Sequence, residues 1–315
     1  MKFCVFFRFL AVLTGLLALT ACQDGSTQGG PETVPPPEPE TPSSQPFPTP
    51  DTYQKIYPSD SKELRLAKLD EFWSQWKSVY LVEGCEGAYV DTSGDDKPTY
   101  GGSAAETLTV SEAHGYGMLA LVQMSYRDPD AVLLFDEMLA FFRAHPAASG
   151  KGLMAWNQTR DCQDALEGDT TASDGDLDIA LALQLADERW GGYADVAAEV
   201  RRAILEREVT PDNMIRLGDW ATDAVYGVSS RSSDFMPGSF AKFAEAGGDE
   251  AFLWEDIRDR GYSVWSTLSG DYAKNDDGYT GLVPDFLVGL PDIPQPAEPE
   301  FLEGMSDGDY SWNAL

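Results

Sequence analysis

Carboxylates at three places in this chain have the company that chemistry would need. The first is Glu112 in "VSEAHGYGM", beside Ser111 at a helix start, with glycines at 115 and 117 just inside. Glycine in a helix interior costs about 1 kcal/mol against alanine, so two so close together indicate that something must approach the backbone there. The second is "ASDGDLDIALAL", where Asp174, Asp176 and Asp178 crowd a helix start with Ser173 as its cap. The third is the closing stretch "FLEGMSDGDYSWNAL", which holds Glu303, Asp307 and Asp309.

Each place alone has an ordinary reading. A first-turn acid is favoured by the helix dipole, and an acid in a loop is usually only solvated. Asp178 reads as a surface or hydrogen-bonding residue. Asp174, Asp176 and Asp178 nevertheless repel one another, which is more than capping requires. Taken together, several carboxylates with 8 Trp and 13 Tyr suit glycoside hydrolysis. One acid must be protonated to donate to the leaving oxygen, and a second must be ionised to activate water. Aromatic rings then stack on sugar faces. Calcium is the competing use of clustered acids, but the D-x-[DN]-x-[DN]-G-x5-E loop is absent. Two histidines and no C-x-x-C argue against zinc. No metal and no cofactor is expected.

The elements that position these acids read as helices. "DSKELRLAKLDEFWSQWKSVY" has Asp60 and Glu63 at capping-box spacing, then Leu66, Leu69, Trp73, Trp76 and Tyr80 at helical spacing. Ser111 and Ser173 are candidate caps, and Asp128 precedes Pro129 as a cap with proline in the first turn. Further helical runs are "YADVAAEVRRAILERE", "GSFAKFAEAG" and "DEAFLWEDIRDRGYSVWSTLSG". Residues 84–104 and 157–173 read as loops, and "NMIRLGD" as a short strand. No repeat of solenoid period stands out. The pattern predicts an all-α domain of helical hairpins packed side by side.

The ends of the chain carry other signals. Lys2 and Arg8 open a positive start, followed by the apolar run "FLAVLTGLLAL" and then "LTAC". That is the bacterial lipoprotein pattern: cleavage before Cys22 and lipid on that cysteine. Gln23 follows, which by resemblance to enterobacterial sorting favours the outer membrane. No later segment approaches the roughly 20 apolar residues of a membrane span. Residues 23–50, with "PETVPPPEPETPSSQPFPTP", read as an extended linker, so the folded domain is residues 51–315. Cys85 and Cys162 remain as a disulfide candidate in an exported compartment. The net charge is −31, which argues against nucleic-acid binding. It fits either a surface kept soluble in salt or a cationic ligand drawn in by the field. A monomer, tied to the membrane only through lipid, is expected.

At this level the motifs resemble a family. "SEAHGYGM", "LMAW" (153–156), "ASDGDLDIALALQLADERW" (172–190), "DFMPGSFAKFA" (234–244), "GLVPDF" (281–286) and "DYSWNA" (309–314) resemble glycoside hydrolase family 8 in order and spacing. Gln184 and Ala113 depart from the usual residues. The resemblance implies an (α/α)6 barrel with a substrate groove across one end and inverting hydrolysis of internal β-1,4 bonds of a polysaccharide. It matches Glu112 to the general acid, Asp174 to the aspartate that holds the sugar, and Trp156 to a groove-lining ring. Asp176, Tyr116, Tyr310 and Asn313 complete the candidate substrate contacts. Many members carry an Asp where this chain has Asn313, and an amide cannot take the proton. A subgroup with Asn there, which includes chitosanases and enzymes cutting mixed-linkage glucan, takes its base from a Glu in a preceding loop. Glu303 resembles that residue, with Asp309 as the competing base.

The resemblance also implies that "WNA" leads into an arginine, a Pro-Trp-rich segment and closing helices, whereas the sequence stops at Leu315. The expectation is therefore a barrel lacking its closing helices, and a chain that is unstable or inactive when expressed alone. Besides an exported endo-glycosidase, the sequence supports a catalytically weak or inactive glycan-binding lipoprotein. A third reading is a trimming partner beside a polysaccharide synthase.

Overall fold

Apolar residues at three- and four-residue spacing build the frame. In the computed structural model, residues 58–93, 107–271, 274–275, 278–279, 282–311 and 314 are described, those between 269 and 281 by backbone alone. The first helix, α1 (Lys62–Tyr80), turns the predicted stripe inward, with Trp73 buried and Leu66, Leu69, Trp76 and Tyr80 half-buried. Its cap is one residue later than the capping-box spacing suggested: Ser61, not Asp60, accepts from the Leu64 amide. A hairpin of β1 (Leu81–Gly84) and β2 (Gly87–Val90) follows, its turn and second strand inside the 84–104 segment that reads as loop from sequence.

Next come α2 (Ser111–Met124), α3 (Ala131–Ala144), α4 (Ser173–Trp190), α5 (Ala194–Arg207), α6 (Pro237–Glu245) and α7 (Ala251–Asp271). The packing alternates: α2 with α3, α4 with α5 and α6 with α7, while α4 also packs on both α2 and α6. First members of successive hairpins thus lie side by side and second members lie outside them. The sequence expectation of an all-α hairpin assembly describes this architecture, and α4, buried on nearly every face from Ser173 to Ala186, is its central wall. Large side chains such as Phe135, Phe141, Met118 and Trp254 fill the main core, each contributing about 1.5–3 kcal/mol by leaving water. Gln184, a departure from the family pattern, is buried but satisfied: its amide donates to the Lys242 carbonyl and its oxygen accepts from Arg201, joining α4 to α6 and α5.

Small sheets sit at the helix ends. Strand β3 (Thr107–Val110) runs antiparallel to β4 (Asn157–Thr159). Strand β5 (Ser230–Arg231) pairs with β8 (Phe286–Val288), which pairs with β9 (Gln295–Pro296); β6 (Lys274–Asn275) and β7 (Gly278–Tyr279) form a separate hairpin. "NMIRLGD" is not a strand and makes only an isolated bridge between Val209 and Ile215. Two capping expectations fail. Helix α2 starts at Ser111 after Val110, and α4 at Ser173 after Ala172, neither with a side-chain cap. Helix α3 starts at Ala131, later than expected, but Asp128 does hold the turn before it: its Oδ1 accepts from the Asp130 amide at 3.1 Å, while its Oδ2 takes the Trp73 indole and Lys77 and ties α1 to the α2–α3 turn. Cys85 and Cys162 are joined in a disulfide across 77 residues of chain, fixing the β1–β2 turn to the loop after β4. Among the described residues no helix is long and apolar enough to cross a membrane. Cys22 and the 23–50 linker lie outside the described residues.

Candidate active site

Two helix N-termini bring the first two acidic places together. The glycines of α2 and α4 allow it. A Cβ on Gly175 would lie 2.4 Å from Ser111 Oγ, and one on Gly115 would lie 2.7 Å from Asp178 Cβ. The partner approaching the backbone at Gly115 is therefore α4 itself. Gly117 makes room instead for Val90 and Met138, at 2.5 and 2.8 Å from its would-be Cβ. The Ser111 amide donates to the Trp156 carbonyl at 2.9 Å, so the β3–β4 pairing sets Trp156 beside the start of α2. The indole of Trp156 donates to the Glu167 carbonyl.

Glu112 is half-buried, and Tyr116, one turn on, donates to its Oε1 at 3.1 Å. Burial pushes the Glu112 carboxyl above its ordinary value of 4.5, and the nearby charge of Asp174 and, less strongly, of Glu303 push the same way. The Tyr116 hydrogen bond and the Arg231 charge oppose this without reversing it. The helix dipole, which favours the ionised form, is thus overcome. Tyr116 stays a phenol, since its own ionisation is pushed up by burial and by the surrounding carboxylates.

Asp174 is buried and held from two sides. Its Oδ1 accepts from the Gly175 amide at 2.7 Å, and its Oδ2 pairs with Arg231 at 2.6 Å. Arg231 is the residue that sequence reasoning missed most clearly. It sits in "SSRSSD", which reads as an exposed polar loop, yet its β5 pairing with Phe286 turns the guanidinium inward. Burial would lower its ionisation; the carboxylates of Asp174, Asp234, Glu303 and Glu112 outweigh that and keep it charged. Asp178 is also not the surface residue expected. It is buried, and its carboxyl is raised to about 7 by burial and by the charges of Asp174 and Glu112.

Asp176 is fully buried. Its Oδ1 accepts from the Met154 amide at 2.9 Å, and burial first, then the charge of nearby Glu208, push its carboxyl well above the ordinary value. Glu208 is fully buried and accepts from Thr171, with its carboxyl raised to about 7 by burial first of all. The Asp176 contact ties α4 to the 153–156 segment. Nothing in "LEREVTP" distinguishes Glu208 from an exposed helix-end acid.

The third acidic place is built from loop and strand. Residues 285–311 lie against β5 through β8, with the Asp285 amide donating to Asp309 and the Phe286 amide to Asp307. Glu303 is exposed, and its charge acts on both Glu112 and Arg231. Asp309 and Tyr310 are also exposed, whereas Asp307 is buried. Asn313 lies outside the described residues.

Fold and cluster define a class: an assembly of helical hairpins with carboxyl groups of opposed environments at one end of the helices. The chain belongs to glycosyl hydrolase family 8, whose pattern matches residues 61–290. It is 36% identical over 283 residues to a Beta-glucanase of Niallia circulans, covering 86% of this chain and 64% of that protein. It is 30% identical to an Endoglucanase of Bacillus sp. (strain KSM-330), covering 86% and 58% respectively. Among solved structures it is similar to the Beta-1,3-1,4-glucanase of Paenibacillus sp. X4, with TM-score 0.74, 35% identity and coverage of 87% of this chain and 68% of the other. Rex8A of Paenibacillus barcinonensis, at 19% identity and TM-score 0.62, shares the fold. The architecture is that of the (α/α)6 hairpin barrels. The chain spans less than two thirds of the length of the two curated relatives.

Proposed function

We propose that this protein is an endo-acting glycoside hydrolase that cleaves internal β-1,4 bonds of a β-glucan, with mixed-linkage glucan as the leading substrate, and inverts the anomeric centre. The observation that carries the reading is the contrast between two carboxyls. Glu112 is half-buried and biased toward its protonated form, and Glu303 is solvent-exposed yet close enough for its charge to act on Glu112.

In this scheme Glu112 donates its proton to the glycosidic oxygen as that bond breaks. Glu303 takes a proton from a water that attacks the opposite face of the sugar. Asp174, held by Arg231, orients the sugar hydroxyls, and Tyr116 fixes the Glu112 rotamer. Trp156 and Tyr310 supply ring faces. The exposure of Glu303 suits a base that must reach water, and its charge is among those that raise Glu112. The names of the relatives support β-glucan as substrate.

A second reading, cleavage of cationic chitosan, is favoured by the net charge of −31. A reducing-end assay on lichenan, carboxymethyl-cellulose, chitosan and xylan separates the two, with Glu112→Gln as the blank. Lichenan and cellulose derivative should be cut fastest. Chitosan cut fastest, with rates falling steeply in salt, would replace the first reading with the second. A first product with retained anomeric configuration by NMR would refute inversion. The glycan-binding alternative predicts oligosaccharide binding without hydrolysis in the same assay.

Location belongs to the same proposal. Lipid on Cys22 would tether the domain to the envelope, at the outer membrane, through the 23–50 linker. Cys22→Ala should then move the protein from the membrane fraction to the soluble one; an unchanged distribution would disprove the anchor. Light scattering on the released domain should give a monomer mass.

A further inference from the structure

The closing stretch holds a carboxylate that is neither solvated nor free to react. Asp307 is buried, and both of its oxygens are occupied by the backbone that carries Glu303. Its Oδ2 accepts from the Leu302 amide at 2.7 Å and from the Glu303 amide at 2.9 Å. Its Oδ1 accepts from the Gly304 amide at 2.8 Å. Three consecutive N–H groups therefore converge on one side chain, with Glu303 in the middle.

Asp307 is itself fixed to the sheet. Its carbonyl accepts from the Phe286 amide of β8 at 2.9 Å. The next residue must be glycine, because a Cβ on Gly308 would lie 2.1 Å from the Ala297 carbonyl oxygen. The near end of the loop is docked by Phe301, whose ring meets Tyr226 and Phe286 at 5.3 and 5.9 Å. Phe286 is also the strand partner of Arg231. A continuous path of strand pairing and hydrogen bonds thus runs from Arg231 through Phe286 and Asp307 to the Glu303 backbone.

We propose that Asp307 is the positioning residue for Glu303: its buried carboxylate gathers the 302–304 amides and so aims an otherwise exposed glutamate at the water above the cleft. This rests on the reading of Glu303 as the base. The physical reason is that an exposed side chain on an unsupported loop samples many orientations, and a reacting group displaced by about 1 Å can lose on the order of 10²-fold in rate. Charge-assisted bonds to backbone amides are stronger than neutral ones, so one buried carboxylate fixes the 302–304 backbone from which Glu303 projects. Burial sets Asp307 apart from a base for water, because both of its oxygens are turned to the 302–304 amides.

The test is a double-mutant cycle on the full chain, comparing the unsubstituted protein with Glu303→Gln, Asp307→Ala and the pair, with rates per mole of folded protein. Asp307→Ala should lower kcat on the order of 10²-fold with KM little changed. On the Glu303→Gln background the same change should have almost no effect on the residual rate, because there is no longer a base to aim. If Asp307→Ala does not fold, Asp307→Asn takes its place; its single amide oxygen can hold two of the three amides while its NH2 group opposes the third. Either aspartate change slowing Glu303→Gln as much as it slows the unsubstituted chain overturns the inference and leaves the base standing. An unsubstituted chain without hydrolysis, or Glu303→Gln with a near-normal rate, overturns the base reading and the inference together.

Discussion

The two sides of the acidic cluster hold their carboxyls by opposite means. On the α2–α4 side, Glu112 and Asp174 grow from helix N-termini that glycines 115 and 175 let approach to van der Waals limits. Their positions are set by side-chain packing, and burial raises Glu112. On the 285–311 side, Glu303 projects from a loop held by backbone hydrogen bonds to a buried carboxylate. A proton donor needs a partly dry site that keeps it neutral, which a packed helix pair supplies. A base for water needs solvent access, which a docked loop supplies without burying the side chain. Arg231 joins the two sides, pairing with Asp174 across from its own strand contact with Phe286.

Changes on each side should fail differently. Glu112→Gln should have the largest effect, a loss of roughly 10²–10⁴-fold in kcat, while oligosaccharide affinity by calorimetry stays near normal. Near-normal turnover in that variant would remove Glu112 from the acid role. Arg231→Met should come next. It leaves Asp174 buried without its cation, and removal of one partner from a buried pair costs roughly 3–5 kcal/mol; chemical denaturation should show a loss of that order. A loss below about 1 kcal/mol, the worth of an exposed pair, would mean that the two sides are not coupled through this ion pair.

Gly175→Ala tests the helix side alone. Its Cβ would meet Ser111 at 2.4 Å, and overpacking of this kind costs about 1–3 kcal/mol. It should lower Tm and also turnover, because Glu112 directly follows Ser111. An unchanged Tm would show that the α2–α4 approach is loose. The smallest effect should be one of pH. Glu208 has its folded carboxyl raised from 4.5 to about 7. The folded state therefore binds more protons than the unfolded chain within that window, and stability falls as pH rises through it. Tm measured from pH 5 to 8 should decline, and Glu208→Gln should flatten the decline without abolishing it, since Asp178 is raised to a similar value. A Tm that rises across this window would contradict the raised Glu208 and Asp178 carboxyls.

The helical side was legible because periodicity and glycine placement are local signals. Trp73, Trp76 and Tyr80 mark the buried stripe of α1, and Gly115 with Gly117 signal a close approach to the backbone of α2 without naming its partner. The loop side gave less away. Glu303, Asp307 and Asp309 are three similar acids within a few positions, and no pattern says that the middle one is buried and the other two exposed. Capping was misread for a related reason: Ser111 and Ser173 have cap chemistry, but each lies one residue inside its helix, after Val110 and Ala172, and is buried where α2 and α4 meet.

The sequence by itself determined the helical hairpins, the family and the acids at the heads of α2 and α4, because apolar spacing and motif order are written in neighbouring residues. Only the tertiary structure decided which acid is dry, which is paired and which is exposed. Burial and charge at Glu112, Asp176, Asp178 and Glu208 depend on groups up to many tens of residues away. Arg231 and Asp307, polar residues in polar loops, become an ion-pair anchor and a loop anchor only when β5 and β8 bring their segments together.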